Sequence, residues 1–283
     1  LGDSGTLTFE PGNPQPQEPM DMPIADSLRT ATSKSLNFGG ADVVNVLDGD
    51  VIFVGGTDRD RLNVDSSRNA FRLAVGDNAS LQFTAAGLAS DVTLISTLDN
   101  TSSTGDSDTI TIGNGSLLTG VSSLGNVIAI GGMGADSINV NAPRSSSVLV
   151  GDNASLVRNA MLGQITRLES IALEQGAGDM LTVQDGDHIL VGGLGSDTLT
   201  AGKGKLVAAG DSVQMSALAG ESNSTLFGTV TLLSSVGLPN GAADTISAGA
   251  GLSTEDGIKL IVGGAGADTI TASSGNDLLI GGA

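Results

Sequence analysis

The feature that most constrains this chain is a nine-residue pattern: two glycines, a spacer, a third glycine, a spacer, an aspartate and a short run carrying an aliphatic residue. It stands as GGAGADTIT at 263–271, GGLGSDTLT at 192–200 and GGMGADSIN at 131–139, with a worn copy, GGTDRDRLN, at 55–63. Two other kinds of segment accompany it. VGDNASL occurs at 75–81 and again at 150–156, with LGDSGTL at 1–7 and AGDSVQM at 209–215 as relatives. Asp followed by alternating residues gives DVVNV at 42–46, DTITI at 108–112, DMLTV at 179–183 and DTISA at 244–248. The three kinds recur in one order. A chain built this way stacks copies of one supersecondary unit, each burying its apolar face against the next.

Composition agrees with stacking. Of 283 residues, 42 are glycine and six phenylalanine, and Trp, Tyr and Cys are absent. Large aromatic side chains usually dominate a rounded core. Here Val, Ile and Leu in short segments have to do that work, so the core is thin and layered. A hydrophobic share of 39% is too high for simple disorder.

Short alternating segments predict about six strands per unit. In the first full unit they are 43–46, 51–54, 61–64, 71–75, 80–84 and 91–96. The units expected are the end of a preceding one at 1–41, then 42–107, 108–178, 179–243 and a partial 244–283. Because Gly–Asp turns follow every second strand, the expected fold is all-β: one continuous parallel β-solenoid rather than antiparallel hairpins. Two strands per coil gives about 12 coils and a rod of roughly 55–60 Å. Insertions at 114–126, 249–257, 158–167 and 216–228, and a proline-rich loop at 10–23, fall on the edge opposite those turns.

The order of the pattern has a chemical reading. A tight turn repeated in every coil needs positive φ, which glycine adopts without Cβ strain. Successive glycines leave carbonyl oxygens uncovered, and the aspartate ends the turn with a carboxylate. Stacked turns then present an all-oxygen edge, suited to Ca²⁺ rather than Zn²⁺ or Cu²⁺. The expected ladder is Asp42, Asp60 and Asp77, then Asp108, Asp136 and Asp152, then Asp179, Asp197 and Asp211, then Asp244 and Asp268. Its glycines are Gly55, Gly56, Gly131, Gly132, Gly134, Gly192, Gly193, Gly195, Gly263, Gly264 and Gly266. On the opposite edge Gly275 and Asp277 keep the spacing, while Asp50 and Asp187 keep it weakly. The alternative is that Gly and Asp are simply good turn formers. With 31 acidic residues against 12 basic and a net charge of −19, bound cations would offset the excess.

At these residues the chain resembles the hemolysin-type calcium-binding, or RTX, repeat family, whose pattern is G-G-x-G-x-D-x-U-x with U large and aliphatic. Residues 131–139, 192–200 and 263–271 match every fixed position, and 272–280 match from the third onward. The resemblance implies a right-handed β-roll with calcium in its turns and secretion to the exterior. The nonapeptides here alternate with GDN turns and insertions, as in composite repeats of very large bacterial surface proteins. Asp58 replaces the third glycine of the first copy, which puts a site there in doubt.

Other classes fit poorly. The acidic balance is opposite to that of a nucleic-acid binder. No apolar run approaches the ~18 residues of a membrane span. GDSG at 2–5 copies a serine-protease nucleophile motif but aligns with the repeated GDN turn. The lone His188 reads as an exposed substitution at a turn. The expectation is a non-enzymatic, extracellular or cell-surface structural segment, an extender, filament or adhesin stalk. Its partners are calcium and neighbouring repeat units or copies stacked end to end. Recognition of a cell-surface or carbohydrate ligand by the insertion loops is the alternative. A carbohydrate-processing β-helix enzyme is less favoured, because Arg and Lys do not group near the ladder. An ice-binding Thr-x-Thr face is set aside for want of a long uninterrupted array.

Overall fold

The computed structural model describes residues 4–10, 27–34, 36, 38–65, 69–84, 89–101, 105–113, 125–220, 226–237, 241–249, 257–273 and 275–282. These residues form three eight-stranded sheets, two parallel and one antiparallel. The outer parallel sheet runs Val43–Val46, Arg61–Val64, Thr109–Ile112, Ser137–Val140, Met180–Val183, Thr198–Ala201, Thr245–Ala248 and Thr269–Ala272. The central parallel sheet runs Val51–Val54, Ala70–Val75, Gly125–Ile130, Ser145–Val150, Gly186–Gly193, Leu206–Asp211, Lys259–Gly264 and Leu278–Gly282. The chain alternates between the two. After every second central strand it leaves to form a hairpin, as at Ala79–Phe83 with Val92–Thr97 and Ala154–Arg158 with Ile165–Ser170. Four hairpins pair side by side as the antiparallel sheet. Each full unit therefore adds two strands to every sheet.

The sequence explains why three layers form. Outer strands such as TITI at 109–112 alternate, and they bury only Ile110 and Ile112. Hairpin strands alternate likewise, as in ASLVR at 154–158. Central strands do not: Ser145–Val150 and Leu206–Asp211 are buried at every residue. Burial at every residue, whether apolar as in LVAA at 206–209 or partly serine as in SSSVLV, marks strands covered on both faces. One central face packs Ala74, Ala129, Leu149 and Leu190 against Leu62, Ile110, Ile138 and Leu181 of the outer sheet. The other packs Leu73, Ile128, Val148 and Ile189 against Leu81, Ile95, Leu156 and Leu168 of the hairpins.

Two expectations are corrected here. The all-parallel rod of about 12 coils becomes two parallel sheets of eight strands with an antiparallel sheet laid across one of them. At ~4.8 Å per strand that stack is roughly 38 Å long. The exclusion of hairpins fails because the second apolar face of the central sheet needs a cover, and the fifth and sixth strands of each unit supply it. His188 is the other correction: it is buried, with 1% exposure, between Ser147 and Leu206 in the central sheet.

Of the insertions, 158–167 is the loop of a hairpin. There Arg158 donates to the carbonyls of Gly163, Ser90 and Val92 and lies 4.6 Å over the Phe71 ring. The proline-rich loop beyond Glu10, and most of 114–126 and 249–257, lie outside the described residues. No described helix is long and apolar enough to cross a membrane.

Candidate metal-binding edge

Every outer strand starts one residue after an aspartate: Asp42, Asp60, Asp108, Asp136, Asp179, Asp197, Asp244 or Asp268. Parallel pairing in constant register stacks these residues in one file. The file is hydrogen-bonded end to end. Each backbone N–H donates to Oδ1 of the next aspartate, at 2.7–2.8 Å from Asp42 through Asp244 and at 3.1 Å from Asp244 to Asp268. One carboxylate oxygen per rung is thus a structural acceptor.

The other oxygen faces the glycine that ends a central strand. A Cβ placed on Gly131 would lie 2.2 Å from Asp136 Oδ2 and 2.3 Å from the Gly151 carbonyl oxygen. On Gly192 it would meet Asp197 Oδ2 and the Gly210 oxygen, both at 2.3 Å. Gly55, Gly76, Gly151, Gly210 and Gly263 stand in the same relation to Asp60, Asp108, Asp179, Asp244 and Asp268. The first glycine of the pattern is therefore required by close approach: it clears the space in which carboxylate and carbonyl oxygens of neighbouring rungs face one another. The second and third glycines are required by conformation, with φ of +115° at Gly132 and +106° at Gly134. The same left-handed turn is made in the worn copy by Gly56 at +118° and Asp58 at +75°, aspartate being among the few side chains that tolerate it.

These oxygens suit a hard cation. Oδ2 of Asp108, Asp136, Asp179, Asp197, Asp244 and Asp268 is buried and accepts no hydrogen bond. A buried anionic oxygen left without a donor is costly, and a cation removes the cost. Among the described residues no three acidic, histidine or cysteine side chains gather around one point. Backbone carbonyls must then complete the shell, as Ca²⁺ with its six to eight flexible oxygen ligands allows.

Electrostatics point the same way. Burial, helped by neighbouring carboxylates, raises Asp77 to about 11, Asp108, Asp152 and Asp179 to about 9, Asp197 to about 8 and Asp244 to about 7. Asp136 and Asp211 are raised from the same causes. The charges acting on all of these groups are other carboxylates.

Asp77, Asp152 and Asp211 form a second file beside the first, at the points where the chain departs for a hairpin. Their Oδ2 atoms accept the backbone N–H of Met133, Leu194 and Ala265, each in a nonapeptide turn. They press on the second glycine of those turns, Gly132, Gly193 and Gly264. The third glycines, Gly134, Gly195 and Gly266, stack on the backbone of Asp106, Ala177 and Ala242 in the segments returning from the hairpins.

The opposite edge has a different chemistry. Asp50 accepts the N–H of Phe71 at 2.8 Å, and Asp187 that of Lys205 at 3.2 Å. Asp277, which follows Gly275, accepts the N–H of Lys259 at 3.1 Å and stands 3.8 Å from its ammonium group. The structure thus gives Asp277 a lysine as counterion, away from the aspartate file. Residues that motif reading passed over are Gly76, Gly151 and Gly210, which do the work of a first nonapeptide glycine. Gly105, Gly176 and Gly241 were passed over as well. The signal was a glycine three residues ahead of Asp108, Asp179 and Asp244.

The family model of the RTX calcium-binding nonapeptide repeat, four copies, matches residues 177–205 and 257–283. Repeats of this family bind calcium. The turns at 55–60 and 131–136 lie outside the matched residues and have the same geometry. No curated protein and no solved structure matches the chain.

Proposed function

Starting from RTX calcium-binding repeats at 177–205 and 257–283, we propose that the chain is a calcium-stabilised structural segment of a secreted or cell-surface protein, with the cations held along the aspartate file. The observation that carries this reading is the row of buried Oδ2 atoms without donors, each opposite a glycine carbonyl. Asp108, Asp136, Asp179, Asp197, Asp244 and Asp268 would supply the carboxylates, and Gly131, Gly151, Gly192, Gly210, Gly263 and Gly281 the carbonyls. A bound calcium contributes the positive charge that lets these carboxylates ionise. The chain's own residues set the register of the oxygens and exclude water from them.

The role is mechanical and non-enzymatic. Each unit extends the same three sheets, so further units, from this chain or another copy, lengthen the stack without changing its cross-section. That supports an extender, filament or adhesin stalk that stiffens where calcium is abundant.

A second reading, ligand recognition by the hairpin loops, is favoured by one feature. A cavity of about 390 Å³ lies beside a hairpin loop, lined by Asp50, Asn69, Phe71, Asp91, Asn126 and Arg158 among others.

Calcium titration followed by far-UV circular dichroism, with magnesium and chelator as controls, tests the main reading. A coil-to-β transition driven by calcium alone is expected. A β spectrum indifferent to chelator would leave glycine and aspartate as turn formers only and move attention to the hairpin loops.

A further inference from the structure

The rungs of the roll are of two kinds. In a nonapeptide rung the turn runs straight from the central to the outer sheet and carries one aspartate, such as Asp136 or Asp197. In a hairpin rung the chain leaves at Gly76–Asp77, Gly151–Asp152 or Gly210–Asp211 and returns at Asp108, Asp179 or Asp244. Such a rung carries two aspartates.

The two are brought together in all three cases. A Cβ on Gly76 would stand 2.1 Å from Asp108 Oδ2, on Gly151 2.0 Å from Asp179 Oδ2, and on Gly210 2.1 Å from Asp244 Oδ2. Each of these glycines is the residue immediately before the other aspartate of the pair. From the return side, Gly105, Gly176 and Gly241 would place a Cβ within 2.1–2.3 Å of Oδ2 of Asp77, Asp152 and Asp211. Each aspartate spends one oxygen on a backbone N–H and leaves the other unmatched. Oδ1 of Asp77, Asp152 and Asp211 and Oδ2 of Asp108, Asp179 and Asp244 are all buried without a hydrogen-bond partner. The side chains of the six residues are at most 3% exposed.

We propose that each hairpin rung holds its own calcium ion between the paired aspartates Asp77 and Asp108, Asp152 and Asp179, or Asp211 and Asp244, and that these three sites are tighter than those of the nonapeptide rungs. The proposal rests on the calcium reading of the edge. Ligand charge count and site rigidity tune calcium affinity in oxygen sites, and the hairpin rung brings a second full carboxylate. Position gives the ion a consequence. It sits where the outgoing strand, the returning segment and the next nonapeptide turn meet, because Oδ2 of Asp152 receives the N–H of Leu194 and lies against Gly176. Filling these sites first would fix the hairpins, and with them the antiparallel sheet, before the remaining turns load.

The test is calcium binding to the chelator-stripped full chain, by competition with a chromophoric chelator and by counting bound metal. The wild type is expected to show three sites at least tenfold tighter than the rest. Asp77→Asn, Asp152→Asn and Asp211→Asn together keep the side-chain acceptor for the backbone N–H and remove the charge. This variant is expected to lose the three tight sites and keep the weaker ones. Asp136→Asn with Asp197→Asn should leave the tight count unchanged. Should the triple variant not fold, Asp152→Asn alone takes the tight count from three to two. A tight count still at three in the triple variant or in Asp152→Asn, or one that falls equally in the nonapeptide pair, overturns the proposal. A wild type that binds no calcium overturns the reading of the whole edge instead.

Discussion

At the edge where central strands pass to outer strands, carboxylates stack on carboxylates, and Oδ2 of Asp136, Asp179 and Asp197 has no donor. At the opposite edge, where outer strands pass to central ones, acidic turns meet buried bases. Asp277 stands by Lys259, which is fully buried, and Asp48 and Asp50 act on Arg72, which is 1% exposed. His188 is buried in the same file of the central sheet, its Nε2 at 2.9 Å from the Gln184 carbonyl. Both edges bury polar groups next to an aliphatic core. One carries its counter-charges in the sequence. The other has no basic partner for its buried carboxylate oxygens among the described residues, and under the calcium reading its order depends on the ionic medium.

The largest expected effect separates the edges outright. Removing calcium withdraws on the order of 2.7 kcal/mol per site at a free concentration 100-fold above Kd. With several sites on one edge the β signal should collapse in chelator at neutral and alkaline pH. A melting temperature unmoved by chelator would show that the two edges do not differ in this way.

Next is Gly192→Ala, where the new methyl meets Asp197 Oδ2 and the Gly210 oxygen at 2.3 Å. The expected cost is about 3–5 kcal/mol, read from denaturant unfolding in saturating calcium. Gly40→Ala, with nothing within 4 Å, is the control and should cost almost nothing.

The third effect is a pH dependence of unusual sign. Without calcium, folding holds Asp108, Asp152 and Asp179 at about 9 and Asp77 at about 11, against an ordinary 3.8. The unfolded chain sheds these protons above pH 4 while the folded chain keeps them. Stability is therefore present below that pH and is lost as pH rises toward 9. Melts in chelator should be highest in acid and fall from pH 4 to 9, and calcium should abolish the fall.

Smaller effects belong to the other edge. Lys259→Met removes the partner of Asp277 and a 3.2 Å hydrogen bond to the Gly257 carbonyl. It should cost about 1–3 kcal/mol, equally at saturating and at limiting calcium. His188→Leu should cost about 1 kcal/mol, since the side chain lost is neutral and takes with it one contact, that of Nε2 with the Gln184 carbonyl. A calcium-dependent loss from either variant would mean that the edges are coupled.

Much of this was legible in residue order. Segments such as DTITI at 108–112 and DMLTV at 179–183 show where outer strands begin, because alternation and a preceding aspartate are local properties. The file from Asp42 to Asp268 follows from them. The parallel pairing of two of the sheets was legible too, but the antiparallel hairpins were not. Ser145–Val150 reads as another short strand, and only its burial at every residue shows that two faces need cover. ILV at 189–191 and VLV at 148–150 were the available hint, being apolar without alternation.

The sequence by itself determined the repeat, the number and place of the strands, and the glycine and aspartate positions whose oxygens line one edge. These depend on short-range sterics and on a period shared by every copy. The tertiary structure alone decided that eight strands leave the roll as hairpins, that His188 is buried, and that Asp277 faces Lys259. It also decided which aspartates share a rung. Those outcomes depend on which surfaces remain uncovered once the sheets have stacked, and no local pattern records that.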